Sequence, residues 1–373
     1  MSHILADFDV ALALSGGNAL GAYQAGAYDA LHERAIEPGH VAGASAGAIN
    51  GALICGNHRD QRLAALRTLW KPASTRPGTR PGETRPTLHG PWALGEEMRR
   101  SAAAIATLTT GQAEIFLPRQ LYGPWWNPLG NDERPSLFDT SVLRGTLGKL
   151  LDFGLLNAGQ PRYAATAVDL ESGEDVVFDT AFRTLSADHI RASAALIPAF
   201  SPVEIDGRLM GDAGMSANLP MDTILAELPN RPLLCIALDL LPLNSGAPRT
   251  LGEAAGRAQD LLFATQSRRS IAAWQAIFDE RRHNGSTASA TLLHLSYQDQ
   301  DLEVAGKAFD FSAITAGQRW RAGYADMIGA LDQIAAEDIL SAAPGLTVYT
   351  QRADGTGGKR LIATRHSLAP QRR

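Results

Sequence analysis

A serine framed by small residues is the first feature of the sequence that could do chemistry. The run Gly43-Ala44-Ser45-Ala46-Gly47 has the Gly-x-Ser-x-Gly spacing of a nucleophile elbow, between a short strand-like segment and a helix of small residues. Such a turn strains the serine backbone, so its neighbours must be small. It also presents the Ser45 hydroxyl at a helix N-terminus, where backbone N–H groups favour developing negative charge. The motif predicts a nucleophile, although a helix-packing turn with an incidental serine is nearly as common.

A glycine-rich turn precedes this serine and again joins a strand to a helix. It runs from Ser15 to Gly21 as Ser-Gly-Gly-Asn-Ala-Leu-Gly. Its glycines can bring backbone amides close to a ligand oxygen, as an oxyanion hole for acyl transfer requires. The competing function is a turn that binds nucleotide phosphates. However, Gly16 and Gly17 are adjacent, so Gly-x-Gly-x-x-Gly is absent, and no Gly-Lys-Ser/Thr follows. The turn therefore favours acyl chemistry.

A carboxylate on a glycine-flanked loop is the third candidate. Asp212 lies between Gly211 and Gly214, after a hairpin-like segment at 203–210. Alone, it would more often be a turn residue, because Asp and Gly dominate turns for local reasons. Its importance comes from the combination with Ser45 and the glycine turn.

Alternating strands and helices surround these residues. Apolar runs predict buried strands at 10–14, 41–43, 163–170 and 233–241, with a further strand at 175–178 and a hairpin at Gly173. Helical spacing covers 20–34, 46–54 and 143–151. Strand, turn and helix alternate, and this pattern predicts an α/β fold with a mostly parallel sheet.

The composition suggests two regions with different character. Residues 8–242 hold all three motifs and are predicted to form a catalytic domain, interrupted by an insertion at about 71–135 that is rich in Pro, Arg and Trp. Trp125 and Trp126 in this insertion suggest a lid or a partner surface. Residues 243–373 are predicted to form a mainly helical C-terminal extension, with helices at 254–278 and 316–334 around a strand at 292–297. The extension ends in a basic tail.

Charge and hydropathy exclude several classes of function. The 373 residues are 45% hydrophobic and 20% charged, as in globular proteins, and carry a formal net charge of -5. No global positive field exists to bind nucleic acid. The N-terminus has no basic segment, and Asp7 and Asp9 interrupt its apolar residues, so no export signal is expected. No stretch approaches the roughly 18 apolar residues of a membrane span. We expect a cytoplasmic protein, in contact with membranes only peripherally; its oligomeric state is not predicted.

The three motifs, in this order, resemble the patatin-like phospholipase family over roughly residues 10–240, as do Ala192–Ala195 and Ile197-Pro198. The C-terminal region is similar to an extension seen in some bacterial members. The resemblance implies a three-layer α/β/α sandwich and hydrolysis of lipid or other acyl esters by a Ser-Asp dyad, without a metal or organic cofactor.

The same resemblance implies a role for each site residue. Ser45 attacks the ester carbonyl, and Asp212 takes its proton and later activates water. The amides of Gly16, Gly17 and Asn18 hold the oxyanion.

Two positions depart from the family pattern. Asn18 stands where a third glycine is usual, and Leu20 stands where the family commonly has Arg or Lys. Without that cation, an anionic headgroup loses a partner. We therefore expect neutral or single-chain acyl esters to be accepted at least as well as diacyl phospholipids.

Two other functions stay open. One is a triad esterase of the α/β-hydrolase type, which needs Ser, acid and His in that order along the chain. Three histidines follow Asp212: His283, His294 and His366. The other is a lipid-binding or scaffold protein that keeps the fold without the activity, since a fold does not guarantee a function.

Overall fold

The computed structural model describes residues 5, 7–71, 91–119, 136–227, 231–354 and 358–366, and the side chains of all of these except 91–93. Residues 72–90 and 120–135 of the insertion, which include Trp125 and Trp126, and the end of the basic tail lie outside the described residues. The strands, in chain order, are β1 (Asp9–Leu14), β2 (His40–Ala44), β3 (Leu117–Pro118), β4 (Phe138–Asp139), β5 (Arg162–Asp169), β6 (Asp175–Asp179), β7 (Val203–Ile205), β8 (Arg208–Asp212), β9 (Leu233–Asp239), β10 (Ser289–Ser296), β11 (Gly345–Ala353) and β12 (Lys359–Ala363).

One large sheet dominates the part of the chain that the structure describes. Its strand order is β12-β11-β10-β9-β1-β2-β5-β8-β7, with β6 also paired to β5. The pairs from β11 through β5 are parallel, and those of β12, β6, β8 and β7 are antiparallel. β3 and β4 form a separate two-stranded sheet. The prediction of a mostly parallel central sheet is confirmed.

Helices cover both faces of the large sheet. They are α1 (Ala22–Glu33), α2 (Ala46–Cys55), α3 (Arg59–Trp70), α4 (Pro91–Thr110), α5 (Ser141–Leu150), α6 (Phe153–Asn157), α7 (Ala187–Ser193), α8 (Asp222–Leu225), α9 (Leu251–His283) and α10 (Ala313–Glu337). None of these helices, within the described residues, is both long and apolar enough to span a membrane.

The apolar core lies in two layers, one on each face of the sheet. Alternate side chains of each strand point to opposite faces. Leu12 of β1 packs in the core shared with α1, α2 and α10, whereas Ala13 packs in the core shared with α8 and α9. The predicted α/β/α sandwich is therefore the observed architecture.

The C-terminal region is more than a set of helices. It supplies α9, β10 and α10, which correspond to the predicted helices and to the predicted strand at 292–297, but also β11 and β12. β10, β11 and β12 continue the central sheet from β9. α10 lies against α1 so closely that a Cβ on Gly26 or Gly323 would overlap the backbone of the other helix. The region that follows residue 242 is thus built into the same sheet and core as the region that precedes it.

Candidate active site

The pairing register brings the three motifs to one end of the sheet. Gly43 in β2 pairs with Leu14 at the end of β1, so the glycine turn and the serine elbow leave the sheet side by side. On the other side of β2, Ala44 pairs with Thr166 of β5, and the next residue of β5 pairs with Asp212. Ser45, the glycine turn and Asp212 therefore meet at the carboxyl ends of the strands.

The elbow has the strained geometry that its sequence predicts. Ser45 has φ 54° and ψ −122°, a backbone conformation rare for a residue with a side chain, and α2 begins immediately after it. A Cβ on Gly47 would overlap the carbonyl of Leu14, and one on Gly43 would overlap Gly47. The two glycines are required because α2 approaches the strand ends closely.

A second serine supports this elbow. The backbone N–H of Ser45 donates to both the carbonyl and the Oγ of Ser193, each at 3.1 Å. The Ser193 hydroxyl in turn donates to the Thr166 carbonyl at 2.6 Å. Because Ser193 is fully buried, these bonds tie the strained residue to β5 and α7.

The Asp212 carboxyl is held directly against the serine. It accepts hydrogen bonds from the Ser45 hydroxyl and from the Gly214 N–H, the latter at 2.7 Å. Only 2% of Asp212 is exposed. Burial raises the pKa of this carboxyl to about 6, against the opposing effect of the hydrogen bonds from Ser45 and Gly214. The carboxyl can therefore exchange a proton near neutral pH.

The glycine turn offers two backbone amides rather than three. The Gly16 N–H donates to the Asn218 carbonyl at 3.0 Å and is occupied. Within the described chain, the N–H groups of Gly17 and Asn18 have no acceptor. Asn18 has φ 51°, which asparagine tolerates better than other residues with a side chain. Its substitution for the usual glycine thus leaves the turn geometry possible.

A cation from the C-terminal region reaches the glycine turn next to Leu20. The Leu20 side chain is fully buried in an apolar cluster with Tyr23 and Leu240, where a lysine or arginine would need a partner. A cation still reaches the turn, because the fully buried Arg319 of α10 donates to the carbonyl of Ala19 at 3.0 Å. Ala19, which Arg319 contacts, and Leu20, where the family commonly has a cation, are adjacent residues of the same turn.

Buried amide side chains hold both ends of the turn. Gln24 donates to the Ser15 carbonyl at 2.8 Å, and Asn50 donates to the Gly21 carbonyl at 2.9 Å and to Gln24 at 3.0 Å. The Trp70 indole N–H donates to Asn50 at 2.8 Å. A satisfied buried network of this kind rigidifies its surroundings.

The aspartate loop is supported by α9. Gln266 donates to the Gly214 carbonyl at 3.1 Å and accepts from the Asn218 N–H at 3.0 Å. The Asn218 carbonyl binds the Gly16 amide, so one short chain of bonds links α9, the aspartate loop and the glycine turn. Sequence reasoning missed Gln266 and the roles of Gln24 and Asn50. The sequence did contain a signal for Gln24 and Asn50, because each is a polar residue within an otherwise apolar helical run.

The three histidines of the triad alternative have partners away from the dyad. His294 lies 3.4 Å from Asp239, and His283 contacts the carbonyl of Asp279 at 2.6 Å. The backbone N–H of His366 donates to the side-chain oxygen of Gln275 in α9 at 2.8 Å, and the buried Nε2 of the His366 imidazole has no hydrogen-bond partner among the described residues. No contact recorded for these side chains in the described residues includes Ser45.

Comparisons with known proteins identify two matching family models and a solved structure of limited similarity. A family model described as patatin-like phospholipase matches residues 12–225, more than half of the chain, and a second, described as patatin phospholipase, matches residues 262–340. No curated protein matches the chain. Among solved structures, the chain is similar to VipD from Legionella pneumophila at 14% identity and a TM-score of 0.35, over 84% of this chain and 67% of that one. The first family match includes the glycine turn, Ser45 and Asp212.

Proposed function

The chain belongs to the patatin-like phospholipase family, a family of lipid acyl hydrolases, and we propose that it cleaves carboxylic esters of lipids through a dyad of Ser45 and Asp212. The observation that carries the proposal is the contact between the Ser45 hydroxyl, on a strained elbow, and the buried Asp212 carboxyl, whose pKa is raised to about 6. A serine next to a positioned base is the arrangement of an activated nucleophile. Ester turnover by the wild type and by dyad variants tests it, as argued in the Discussion.

The reaction follows from the contacts of these two side chains. The Asp212 carboxylate takes the proton of Ser45 Oγ as this oxygen attacks the ester carbonyl carbon. The tetrahedral intermediate then collapses, the ester C–O bond breaks, and the proton on Asp212 passes to the departing alkoxide. In the second half, Asp212 takes a proton from water, whose oxygen attacks the acyl-serine, and returns that proton to Ser45 Oγ. The free acid leaves, and no cofactor is needed in this scheme.

We assign the oxyanion of both intermediates to the amides of Gly17 and Asn18. Both N–H groups lack an acceptor in the described chain, as a preorganised oxyanion hole requires. Gly16 has a different role in this scheme. Its N–H is already bonded to Asn218, and a Cβ at this position would lie 2.9 Å from the Cβ of Ser45. Its lack of a side chain lets the turn approach the nucleophile.

We predict that kcat/KM falls with an apparent pKa of about 6 on the acid side. The base must be ionised, and burial raises the pKa of Asp212 to about 6. Activity should therefore be near its plateau at pH 7.5 and drop about tenfold per pH unit below pH 5. The measurement is hydrolysis of a soluble p-nitrophenyl ester from pH 4.5 to 8, with full recovery on return to pH 7.5 as the control for unfolding. An apparent pKa near 4 would contradict the raised value.

We further predict that monoacylglycerol and lysophospholipid are turned over at least as fast as diacyl phospholipid. With Leu20, the glycine turn lacks the cation that is common at this position in the family. Arg319, which contacts the same turn, is fully buried and bonded to both carboxylate oxygens of Glu303. The Arg319 guanidinium therefore offers no charge to an anionic headgroup. The measurement is kcat/KM for the three lipids in the same mixed micelles. A strong preference for the diacyl lipid would contradict the prediction.

Binding of the protein to sedimented vesicles tests the expected peripheral membrane contact.

A further inference from the structure

A small cavity lies beside the nucleophile. Besides Asn18 and Ser45, its walls include six apolar side chains: Ala46, Ile49, Trp70, Ile115, Leu143 and Phe200. The space open to the centre of a water molecule is about 20 Å³. Since about 10–15 Å³ of such space holds one water, the cavity has the size of one or two waters and suits only a short hydrocarbon segment.

The chemistry of the walls indicates what part of an ester could enter. Among the described residues that line the cavity, no side chain is charged. The nearby Arg191 guanidinium is turned to Asp188 and to the Thr140 carbonyl, at 2.5 and 3.0 Å. An apolar wall next to Ser45 suits a hydrocarbon chain and not an anionic headgroup.

The wall that Ile115 and Phe200 contribute to the cavity is firmly packed. Phe200 lies in an aromatic cluster, with ring centroids 5.1 Å from Phe116 and 5.9 Å from Phe138. The residue before Phe116 is Ile115, which also lines the cavity. The backbone N–H of Phe138 in β4 donates to the Ala199 carbonyl at 2.9 Å. This bond joins β4 to the segment that carries Phe200.

The C-terminal region backs the same wall. Phe309 and Phe311 lie 6.2 and 5.9 Å from Phe116, measured between ring centroids. Interiors packed in this way deform little. The wall is therefore not expected to retreat through a single side-chain rotation.

We propose that this cavity is the acyl subsite and that Phe200 and Ile115 limit the length of the chain it accepts, so that short acyl groups such as acetyl and butyryl are preferred. The inference rests on the proposed function, because it places the acyl group of the substrate next to Ser45. It assigns the length limit to two side chains that contribute no proton transfer.

The experiment is a chain-length series of p-nitrophenyl acetate, butyrate, octanoate and palmitate. We expect the wild-type kcat/KM to fall at least tenfold from butyrate to octanoate, since a misfit of one methylene in an apolar pocket already costs about 10–200-fold. Ile115→Ala and Phe200→Leu enlarge the cavity and should each raise the ratio of octanoate to butyrate turnover about tenfold or more. Ile105→Ala and Phe182→Leu are the matched controls, because these side chains are 60% and 79% exposed, and the ratio should not change.

The outcomes separate the inference from the proposed function. Equal turnover of butyrate and octanoate by the wild type, or an unchanged ratio in a folded Ile115→Ala, overturns the acyl-length limit and leaves the hydrolase intact. If Phe200→Leu does not fold, Ile115→Ala alone decides. If wild type and Ser45→Ala are equally inert on every ester, the proposed function fails, and the acyl subsite fails with it.

Discussion

Ser45→Ala and Asp212→Asn are each expected to lower kcat at least about 10³-fold, because each removes one half of a unit that works only together. Without Oγ, no acyl-serine forms. Without an ionisable carboxyl at 212, the serine proton has no acceptor within hydrogen-bond reach among the contacts described for Ser45. The measurement is p-nitrophenyl butyrate turnover in the presence of a chelator, which also tests the expectation that no metal takes part.

The chain contains a matched control for this pair. Ser216, four residues after Asp212, donates its hydroxyl to Asp175 on the protein surface. This serine and carboxylate have the same chemistry but lack the strained elbow, the burial and the free amides. Ser216→Ala and Asp175→Asn should keep at least half of the activity. A fluorophosphonate should label the wild type at Ser45 alone, and labelling at another serine would contradict the dyad.

The stability of Asp212→Asn separates lost chemistry from lost folding. A carboxyl whose pKa is raised by burial favours its protonated form, so its stabilising effect is present at low pH and is lost as pH rises from about 3.8 to about 6. At pH 7.5 the buried, ionised Asp212 carboxylate therefore destabilises the native protein, and substitution by asparagine removes this destabilisation. A shift of this size corresponds to about 3 kcal/mol at most. We expect the inactive variant to be more stable than the wild type to urea at pH 7.5, with the difference vanishing near pH 4. A less stable variant at pH 7.5 would mean that the carboxylate has a structural role.

The sequence was sufficient to select the residues that meet at the candidate site, because the constraints on them are local. An elbow requires small neighbours in the next two positions on each side, and Gly43 and Gly47 meet this requirement within a five-residue window. The strands before Ser45 and Gly16 are buried on both faces, so they appear as plain apolar runs. Local rules of this kind need no knowledge of the rest of the chain.

The supporting residues could not be predicted, because their partners are distant in sequence. Gln266 meets Gly214 and Asn218 only when α9 packs on the aspartate loop, and Arg319 reaches Ala19 across 300 positions. Nothing in the sequence near either residue indicates its partner.

The last two strands, β11 and β12, were missed for a different reason. Lys359 and Arg360 belong to the predicted basic tail, yet they lie in β12 at the edge of the sheet, where charged side chains are common. Lys359 is paired with Asp326, and Arg360 with Glu337. A basic edge strand and a basic tail have the same composition, so composition alone does not separate them.

Arg319→Met is expected to lower the free energy of unfolding by about 3–5 kcal/mol, the usual cost of breaking a buried ion pair. The Arg319 guanidinium is fully buried and donates to both oxygens of Glu303 at 2.9 and 2.8 Å, and to three backbone carbonyls. Burial alone would raise the pKa of Glu303, but Arg319 and Arg100 outweigh it and lower the value to about 2. Loss of Arg319 should therefore cost most at neutral pH and less as pH falls below about 4.5.

Urea unfolding at pH 7.5 measures this effect, and the same helix supplies the control. Arg321 is exposed, so Arg321→Met should change stability by no more than about 0.5 kcal/mol. In a double-mutant cycle with Glu303→Gln, the coupling energy should exceed about 1 kcal/mol. A cost under 1 kcal/mol for Arg319→Met would show that water or a neighbouring cation replaces the guanidinium.

The kinetics of folded Arg319→Met decide what the C-terminal region does for the site. If the bond from Arg319 to the Ala19 carbonyl orients the glycine turn, kcat on p-nitrophenyl butyrate should fall about tenfold or more while KM changes little, because the oxyanion forms only in the transition state. An unchanged kcat would confine Arg319 to stability. In the first case, the proposed catalytic domain of residues 8–242 holds the reactive groups but depends on residues 243–373 for their alignment. The two regions would then differ in their sequence motifs but form one functional unit.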